Sequence, residues 1–405
     1  MPVKRFNLFI NKKVPIFSKT IKVDSDKSIS IRSFLIGAIC QNISYTYNVL
    51  ESEDVISTIK CLKKLGVKII KLKNGCYKVF GKGLGSFYGK KNYELNFGNS
   101  GTLARLLIGI LSTTKGVQVK IKGDKSLNKR SMKKLIELMS EFGAQFLPKK
   151  KYNFPLKLIS TDLPIGINYK AGVSAQLKSA VMLAGLNSYG NTQILINEKS
   201  RNHTENMLME NKQAIKLSKN KILIFGKKNL NPINIDVPGD PSSAAFFTAL
   251  TLLNKKSYLK IKNVCLNKTR IGFYQILKKQ GAKIKFQNVI KKNNEKRGDL
   301  IVESCKLKPL NASKHYYVNS TDEYPILFII AALTKGISVF RGIGDLKNKE
   351  SDRVKEMQKV LKQIGVKSKA SKGEVRIFGK KITSFKNKKI KVPNLGDHRI
   401  CMSTF

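Results

Sequence analysis

Apolar positions along the chain fall into two alternating kinds of helical stretch. In the first kind, apolar residues recur at helical spacing between charged ones, a glycine follows, and a short strand-like run begins. It occurs at Cys61-Leu-Lys-Lys-Leu-Gly-Val67, Leu138-Met-Ser-Glu-Phe-Gly-Ala144, Leu277-Lys-Lys-Gln-Gly-Ala282 and Leu361-Lys-Gln-Ile-Gly-Val366. Each pattern predicts an amphipathic helix closed by a left-handed glycine cap. A degenerate copy, Met207 to Ala214, lacks the glycine and predicts a local change there. The copies recur at roughly 70 to 85 residues, too long for a solenoid unit but right for a small α/β module of several strands and two helices.

The second kind of stretch is almost wholly apolar: Phe34 to Ile39, Ala180 to Leu186, Ala244 to Leu253 and Ile326 to Leu333. These runs predict buried helices. They begin with small and polar residues: Asp26-Lys-Ser-Ile-Ser-Ile-Arg32, Ser100-Gly-Thr-Leu-Ala-Arg105, Ser174-Ala-Gln-Leu-Lys178, Asp240-Pro-Ser-Ser243 and Thr321-Asp-Glu-Tyr-Pro325. Several buried helices aiming their N-termini at one place would sum their dipoles into an anion-binding cleft. The stretch Gly98 to Leu107 is the clearest example, with glycines that let backbone approach a ligand and with Thr102 and Arg105 on adjoining helix faces. A sixth start, Asp397-His-Arg399, reaches Phe405 at once, which predicts an unfinished last module. Gly81-Lys-Gly-Leu-Gly85 has its third glycine misplaced for a dinucleotide loop and predicts a turn.

Pro and Gly in Ile235-Asp-Val-Pro-Gly-Asp240 mark a change from the third module to the fourth. This predicts an α/β protein of two domains with three modules each. One domain spans residues 23–236; the other combines 1–22 with 237–405, since the earliest strands would complete it. The connection would then be a double crossover, suited to hinged closure over a ligand.

A length of 405 residues with 41% hydrophobic content supports a large core. No run is apolar enough to span a membrane, and Met1 to Thr20 interrupts short apolar pieces with Lys4, Arg5, Lys12 and Lys13 where a signal peptide would be unbroken. A cytoplasmic protein is expected. Cys40, Cys61, Cys76, Cys265, Cys305 and Cys401 lack metal-ligand spacing, and His203, His315 and His398 are unpaired at i, i+4, so no disulfide framework or metal site is expected. The net charge of +51 raises nucleic-acid binding as a hypothesis. Its lysines are spread through every segment without a basic tail or nucleic-acid motif, which favours a lysine-rich composition and a substrate that is itself anionic.

These stretches, with Gly123-Asp-Lys-Ser-Leu-Asn-Lys-Arg130, Ser200-Arg-Asn-His-Thr204, Asp322-Glu-Tyr-Pro325, Lys349-Glu-Ser-Asp-Arg353 and Asp397-His-Arg399, resemble in order and spacing the 5-enolpyruvylshikimate-3-phosphate synthase family. The resemblance implies a two-domain inside-out α/β barrel of βαβαββ repeats, the last truncated here, with helix N-termini facing the interdomain cleft. It implies transfer of the enolpyruvyl group of phosphoenolpyruvate to the 5-hydroxyl of shikimate 3-phosphate, with no cofactor or metal and with small anionic substrates as the partners of a monomer. On the phosphoenolpyruvate side it places Lys27, Gly101, Arg130, Gln176, Arg353 and Arg399. On the shikimate 3-phosphate side it places Lys27, Ser28, Arg32, Ser174, Gln176, Ser200, Arg201, Asp322 and Lys349. Asp322 matches the base, and Lys27 and Glu350 are the candidates for proton delivery and return.

Other residues in the motifs read as structural. Arg105 would brace its helix turn, Asp352 and Asp397 would orient neighbouring arginines, and Asp124, Ser126 and Asp240 would serve as caps or turn residues. His203 and His398 would be packed and hydrogen-bonded. Lys27, Arg130, Asp322, Glu350, Arg353 and Arg399 read as functional, because charges beside apolar helices are costly without a use. The family continues past Asp-His-Arg with a strand and helix that supply a basic residue, which bears on activity of a chain ending at Phe405. Gly101 implies sensitivity to glyphosate. Two alternatives stand: a transferase with a UDP-N-acetylglucosamine acceptor, whose catalytic Cys loop finds no match here, and an inactive, basic, polyanion-binding relative.

Overall fold

The computed structural model describes residues 13–87, 93–381, 385, 390–393 and 396–405. Its helices are α1 (Lys27–Ile39), α2 (Glu53–Lys64), α3 (Gly101–Ser112), α4 (Lys133–Glu141), α5 (Ala175–Leu186), α6 (His203–Leu208), α7 (Pro241–Leu253), α8 (Gly272–Lys279), α9 (Tyr317–Ser320), α10 (Tyr324–Ala332), α11 (Arg353–Gln363) and α12 (His398–Thr404). Both predicted kinds of helix form. The apolar runs lie in α1, α5, α7 and α10, although Phe247 and Leu250 of α7 are exposed. The amphipathic stretches are α2, α4, α8 and α11, each closed by a glycine with positive φ, as at Gly66 (83°) and Gly143 (100°). The following amide returns to the helix: Val67 N–H donates to Leu62 O at 3.0 Å, and Ala144 to Met139, Ala282 to Leu277 and Val366 to Leu361 repeat it. In the degenerate copy α6 has six residues and no glycine cap. There Asn211 N–H donates to Leu208 O at 2.8 Å and its side chain accepts from Asn231 N–H at 2.6 Å.

Five four-stranded sheets of the described residues share one strand order. In one of them Tyr93–Asn96 runs parallel to Gln118–Lys122, which pairs antiparallel with Leu156–Ile159, itself antiparallel to Gln145–Leu147. Two edge strands are borrowed from distant sequence. Ser18–Ile21 runs parallel to the start of Tyr258–Cys265, and Asn234–Asp236 runs parallel to Ile43–Tyr47. Of the N-terminal stretch expected to join the later modules, residues 1–12 lie outside the described residues. The two crossing segments hold each other: Asp26 N–H donates to Pro238 O and Asp240 N–H to Asp24 O, both at 2.8 Å.

The result is a two-domain mixed α/β fold with two large apolar clusters. One gathers around α1, α3 and α5, with Phe34, Leu107 and Val181; the other gathers around α7, α8 and α10, with Tyr274, Leu327 and Phe328. Where α3 crosses α5, the backbones approach so closely that a Cβ at Gly109 would lie 2.6 Å from Ala180 O and 2.9 Å from Ala180 Cα. No flexible side chain is there to move aside. Gly109→Ala is therefore expected to lower the unfolding free energy by about 1–3 kcal/mol, read from urea titration at unchanged m-value.

Candidate active site

Four helix starts prepare the site. Asp26, Ser100, Ser174 and Asp397 cap α1, α3, α5 and α12, accepting from the amides of Ile29, Leu103, Leu177 and Arg399. Each cap occupies one amide of its first turn, and Asp26 and Asp397 stand within two residues of Lys27 and Arg399.

The centre is a chain of alternating charge. Arg201 Nη2 donates to Asp322 Oδ2 at 2.6 Å, and Arg353 Nη1 reaches Asp322 Oδ1 at 3.3 Å. Arg353 Nη2 also donates to Glu350 Oε2 at 2.6 Å, and its Nε donates to Asp397 Oδ2 at 3.0 Å. Arg130 faces the other oxygen of Glu350 at 3.9 Å and donates to Asn99 Oδ1 at 2.5 Å. Burial works to raise the Asp322 carboxyl, but Arg201, Arg399 and Arg353 outweigh it and hold it well below the usual carboxylate range. Glu350 is likewise held low, burial and Asp322 being outweighed by Arg353 and Arg130.

Two side clusters adjoin this chain. Arg105 Nη1 donates to Gly101 O at 3.0 Å and to Gln176 Oε1 at 2.9 Å, while Gln176 Nε2 donates to Thr102 Oγ1 at 2.9 Å. Arg105 thus braces its turn as expected. A Cβ on Gly101 would lie 2.7 Å from Arg105 Nη1 and 3.4 Å from Arg130 Nη1, so this backbone is hemmed in by guanidinium groups. In the other cluster the buried Arg32 donates to Thr204 Oγ1 at 2.8 Å, Ser28 O at 3.0 Å and Ser179 Oγ at 3.3 Å. Ser200 is buried nearby in sequence, with an Oγ that has no hydrogen-bond partner among the described residues.

The structure therefore joins Arg130, Arg201, Asp322, Glu350 and Arg353 directly, with Arg399 acting on Asp322 through its charge. Lys27 and Lys349 are tied instead to other carboxylates, at 2.8 Å to Asp54 and 2.6 Å to Asp345. Lys27 remains in electrostatic reach of His398. Although His398 keeps part of its surface open, burial, Arg399 and Lys27 push its imidazole down to about 4.

The sequence motifs missed several supporting groups. Asn99 and Thr204 lie inside recognised stretches, Ser179 directly follows one, and all three differ from their neighbours only in where they point. Asp54, Asp345 and the buried Lys178–Glu205 pair at 2.5 Å carry no sequence signal. Asp124 and Asp240 act as turn and cap residues, and His203 is packed against Glu295, as expected. No cluster among the described residues could hold a metal ion, and no described helix is long and apolar enough to cross a membrane.

A family model described as EPSP synthase (3-phosphoshikimate 1-carboxyvinyltransferase) matches residues 12–405. Relatives named 3-phosphoshikimate 1-carboxyvinyltransferase include one from Petrotoga mobilis, 38% identical over 390 residues that span 95% of this chain and 88% of that protein. Another, from Zymomonas mobilis, is 36% identical over 401 residues, 97% of this chain and 88% of that one. A solved EPSP synthase structure from Acinetobacter baumannii superposes with a TM-score of 0.83 at 34% identity, covering 96% of this chain and 88% of the other.

Arg353 is 1% exposed, and one of its three carboxylate partners, Asp397, is fully buried. Arg353→Met would leave that carboxylate uncompensated. The expected loss is about 3–5 kcal/mol of unfolding free energy, read by chemical denaturation at neutral pH.

Proposed function

The chain belongs to the EPSP synthase family and transfers the enolpyruvyl group of phosphoenolpyruvate to shikimate 3-phosphate, and we propose that Asp322, Lys27 and Glu350 carry out the proton transfers. The observation that carries this reading is the Arg201–Asp322–Arg353–Glu350 chain. It holds two ionised carboxylates in a strongly positive setting suited to substrates that each bear a carboxylate and a phosphate.

In our reading Asp322 accepts the proton of the 5-hydroxyl as its oxygen bonds to C2 of phosphoenolpyruvate, while the Lys27 ammonium protonates C3. The product of this addition is a tetrahedral ketal phosphate. In the elimination Glu350 takes a proton back from C3, the C2–O bond to phosphate breaks, and the proton on Asp322 leaves with phosphate. The proton on Glu350 returns to Lys27 through solvent as products depart. Glu350 is the acceptor in this division because Arg353 and Arg130 favour its ionised form.

Arg130, Arg353 and Arg399, with Lys27, Gln176 and the backbone at Gly101, would bind phosphoenolpyruvate. Lys27, Ser28, Arg32, Ser174, Gln176, Ser200, Arg201, Asp322 and Lys349 would bind shikimate 3-phosphate. We place this site in a cleft between a domain of residues 23–236 and one built from 1–22 and 237–405, each an inside-out α/β barrel of βαβαββ repeats. The shared order of the five sheets and the two borrowed edge strands support that arrangement. The same reading makes the protein a cytoplasmic monomer.

Asp322→Asn is expected to lower phosphate release in the presence of both substrates by about 10²–10⁴-fold while shikimate 3-phosphate still binds. Because Asp322 is held well below the usual range, its ionisation gives the parent rate no acid limb between pH 5 and 8; a limb there that Asp322→Asn removed would mean that Asp322 titrates in that window and is not kept ionised by its arginines. Gly101→Ala crowds Arg105 and Arg130, and is expected to raise both the phosphoenolpyruvate KM and the glyphosate inhibition constant at unchanged shikimate 3-phosphate KM.

A further inference from the structure

Beneath the starts of α1 and α7 lies a second arginine-centred cluster that the proposed reaction does not use. Arg270, 2% exposed, follows the strand Tyr258–Cys265 in a turn closed by its amide on Asn267 O at 2.8 Å. Its Nη1 donates to Asp26 Oδ2 at 2.5 Å and its Nη2 to Asp240 Oδ1 at 2.8 Å. Those two carboxylates cap α1 and α7 on the two crossing segments. Nη1 also lies 3.3 Å from His203 Nε2, and Nη2 lies 3.1 Å from Ser242 Oγ, whose hydroxyl donates to Glu323.

The same turn grips the segment of residues 200–204. His203 Nδ1 is 2.7 Å from Glu295 Oε1, and Asn267 Nδ2 donates at 2.8 Å both to Glu295 Oε2 and to Asn202 Oδ1. Asp26 precedes Lys27 and Ser28, and Asn202 and His203 follow Ser200 and Arg201. Both segments that Arg270 touches on this side therefore carry residues assigned above to the acceptor. A guanidinium can serve two carboxylates and an imidazole at once because its donors form a rigid planar fork; an ammonium on a flexible stem cannot hold that geometry.

We propose that Arg270 is a positioning residue for shikimate 3-phosphate, fixing through Asp26 and His203 the helix start and the segment that present Lys27, Ser28, Ser200 and Arg201. The proposal rests on the acceptor site assigned above. Asp240 belongs to the other arm of the clamp and acts on α7, so the two carboxylates should separate experimentally. Asp322 keeps Arg353, a partner that Arg270 does not position, so turnover at saturation should change less than acceptor affinity.

The test is steady-state phosphate release by Arg270→Lys, Arg270→Gln, Asp26→Asn and Asp240→Asn, with both KM values, kcat and melting temperature measured for each. Arg270→Lys and Asp26→Asn are expected to raise the shikimate 3-phosphate KM about tenfold, and Arg270→Gln more, with smaller changes in the phosphoenolpyruvate KM and in kcat, which the clamp reaches through Lys27. Asp240→Asn is expected to lower the melting temperature and leave the shikimate 3-phosphate KM near the parent value. Lower melting temperatures with an unchanged ratio of the two KM values would mean that Arg270 only holds the fold, and would overturn the proposal. Should the Arg270 variants fail to fold, the contrast between Asp26→Asn and Asp240→Asn decides: equal effects on the acceptor KM overturn it. An unaltered acceptor KM in Arg201→Ala would instead overturn the site assignment. An altered one beside unaltered Arg270 variants overturns the positioning role alone.

Discussion

An arginine taken out of water has to be met by carboxylates, and this constraint shapes the whole centre of the molecule. Arg353 and Arg270 are both buried, and each is surrounded by acids drawn from different parts of the chain. Removing either charge alone would strand the other in a medium of low dielectric. The acids are therefore bound to the cations before any substrate arrives. That pairing keeps Asp322 and Glu350 ionised despite their burial, the state that their proposed roles as bases require. Substrate phosphates and carboxylates would then share cations already in place, so that little side-chain ordering is left to binding.

The same constraint explains why the site can be assembled from remote sequence. Helix caps fix the local direction of Lys27, Gly101 and Arg399, but they cannot set the distance from one helix to the next. Ion pairs and the crossing segments do that. Asp26 and Asp240 each cap a helix with one interaction and meet Arg270 with another, so a local structural device also registers two helices against each other. The strands Ser18–Ile21 and Asn234–Asp236, lent to sheets far away in sequence, commit the backbone to the same register.

Local features of this arrangement were legible in the sequence and long-range ones were not. The glycine caps at Gly66, Gly143, Gly281 and Gly365 could be read because the helix pattern, the glycine and the strand lie within one short window. The brace from Arg105 to Gly101 spans one helical turn and was legible for the same reason. Asp54 as partner of Lys27, Arg270 as partner of Asp26, and Asn231 as partner of Asn211 depend on which segments meet in space. Family resemblance supplied the identities at the centre, since charge and spacing alone do not distinguish Arg201 from any other arginine near a helix start. Lys349 illustrates the limit: its motif was recognised, but its contact with Asp345 and the Tyr317 ring was not foreseeable.

The excess of positive charge divides along residue type in a way that bears on its meaning. Arg32, Arg270, Arg297, Arg353 and Arg399 are buried, whereas Lys178 is the one buried lysine among the described residues, and it is paired with Glu205. Lysine keeps a compact, strongly hydrated charge on a flexible stem, so a chain biased toward lysine can place it on the surface with little effect on the core. Arginine is used where the charge must be dry, planar and shared among several oxygens. A net charge of +51 is accordingly a property of the solvent-facing shell, and its contribution to affinity for the substrates is long-range and screened by salt. In the proposed site, recognition would be governed by a few arginines whose charges are already balanced, and that is why bulk charge says so little about what this protein does.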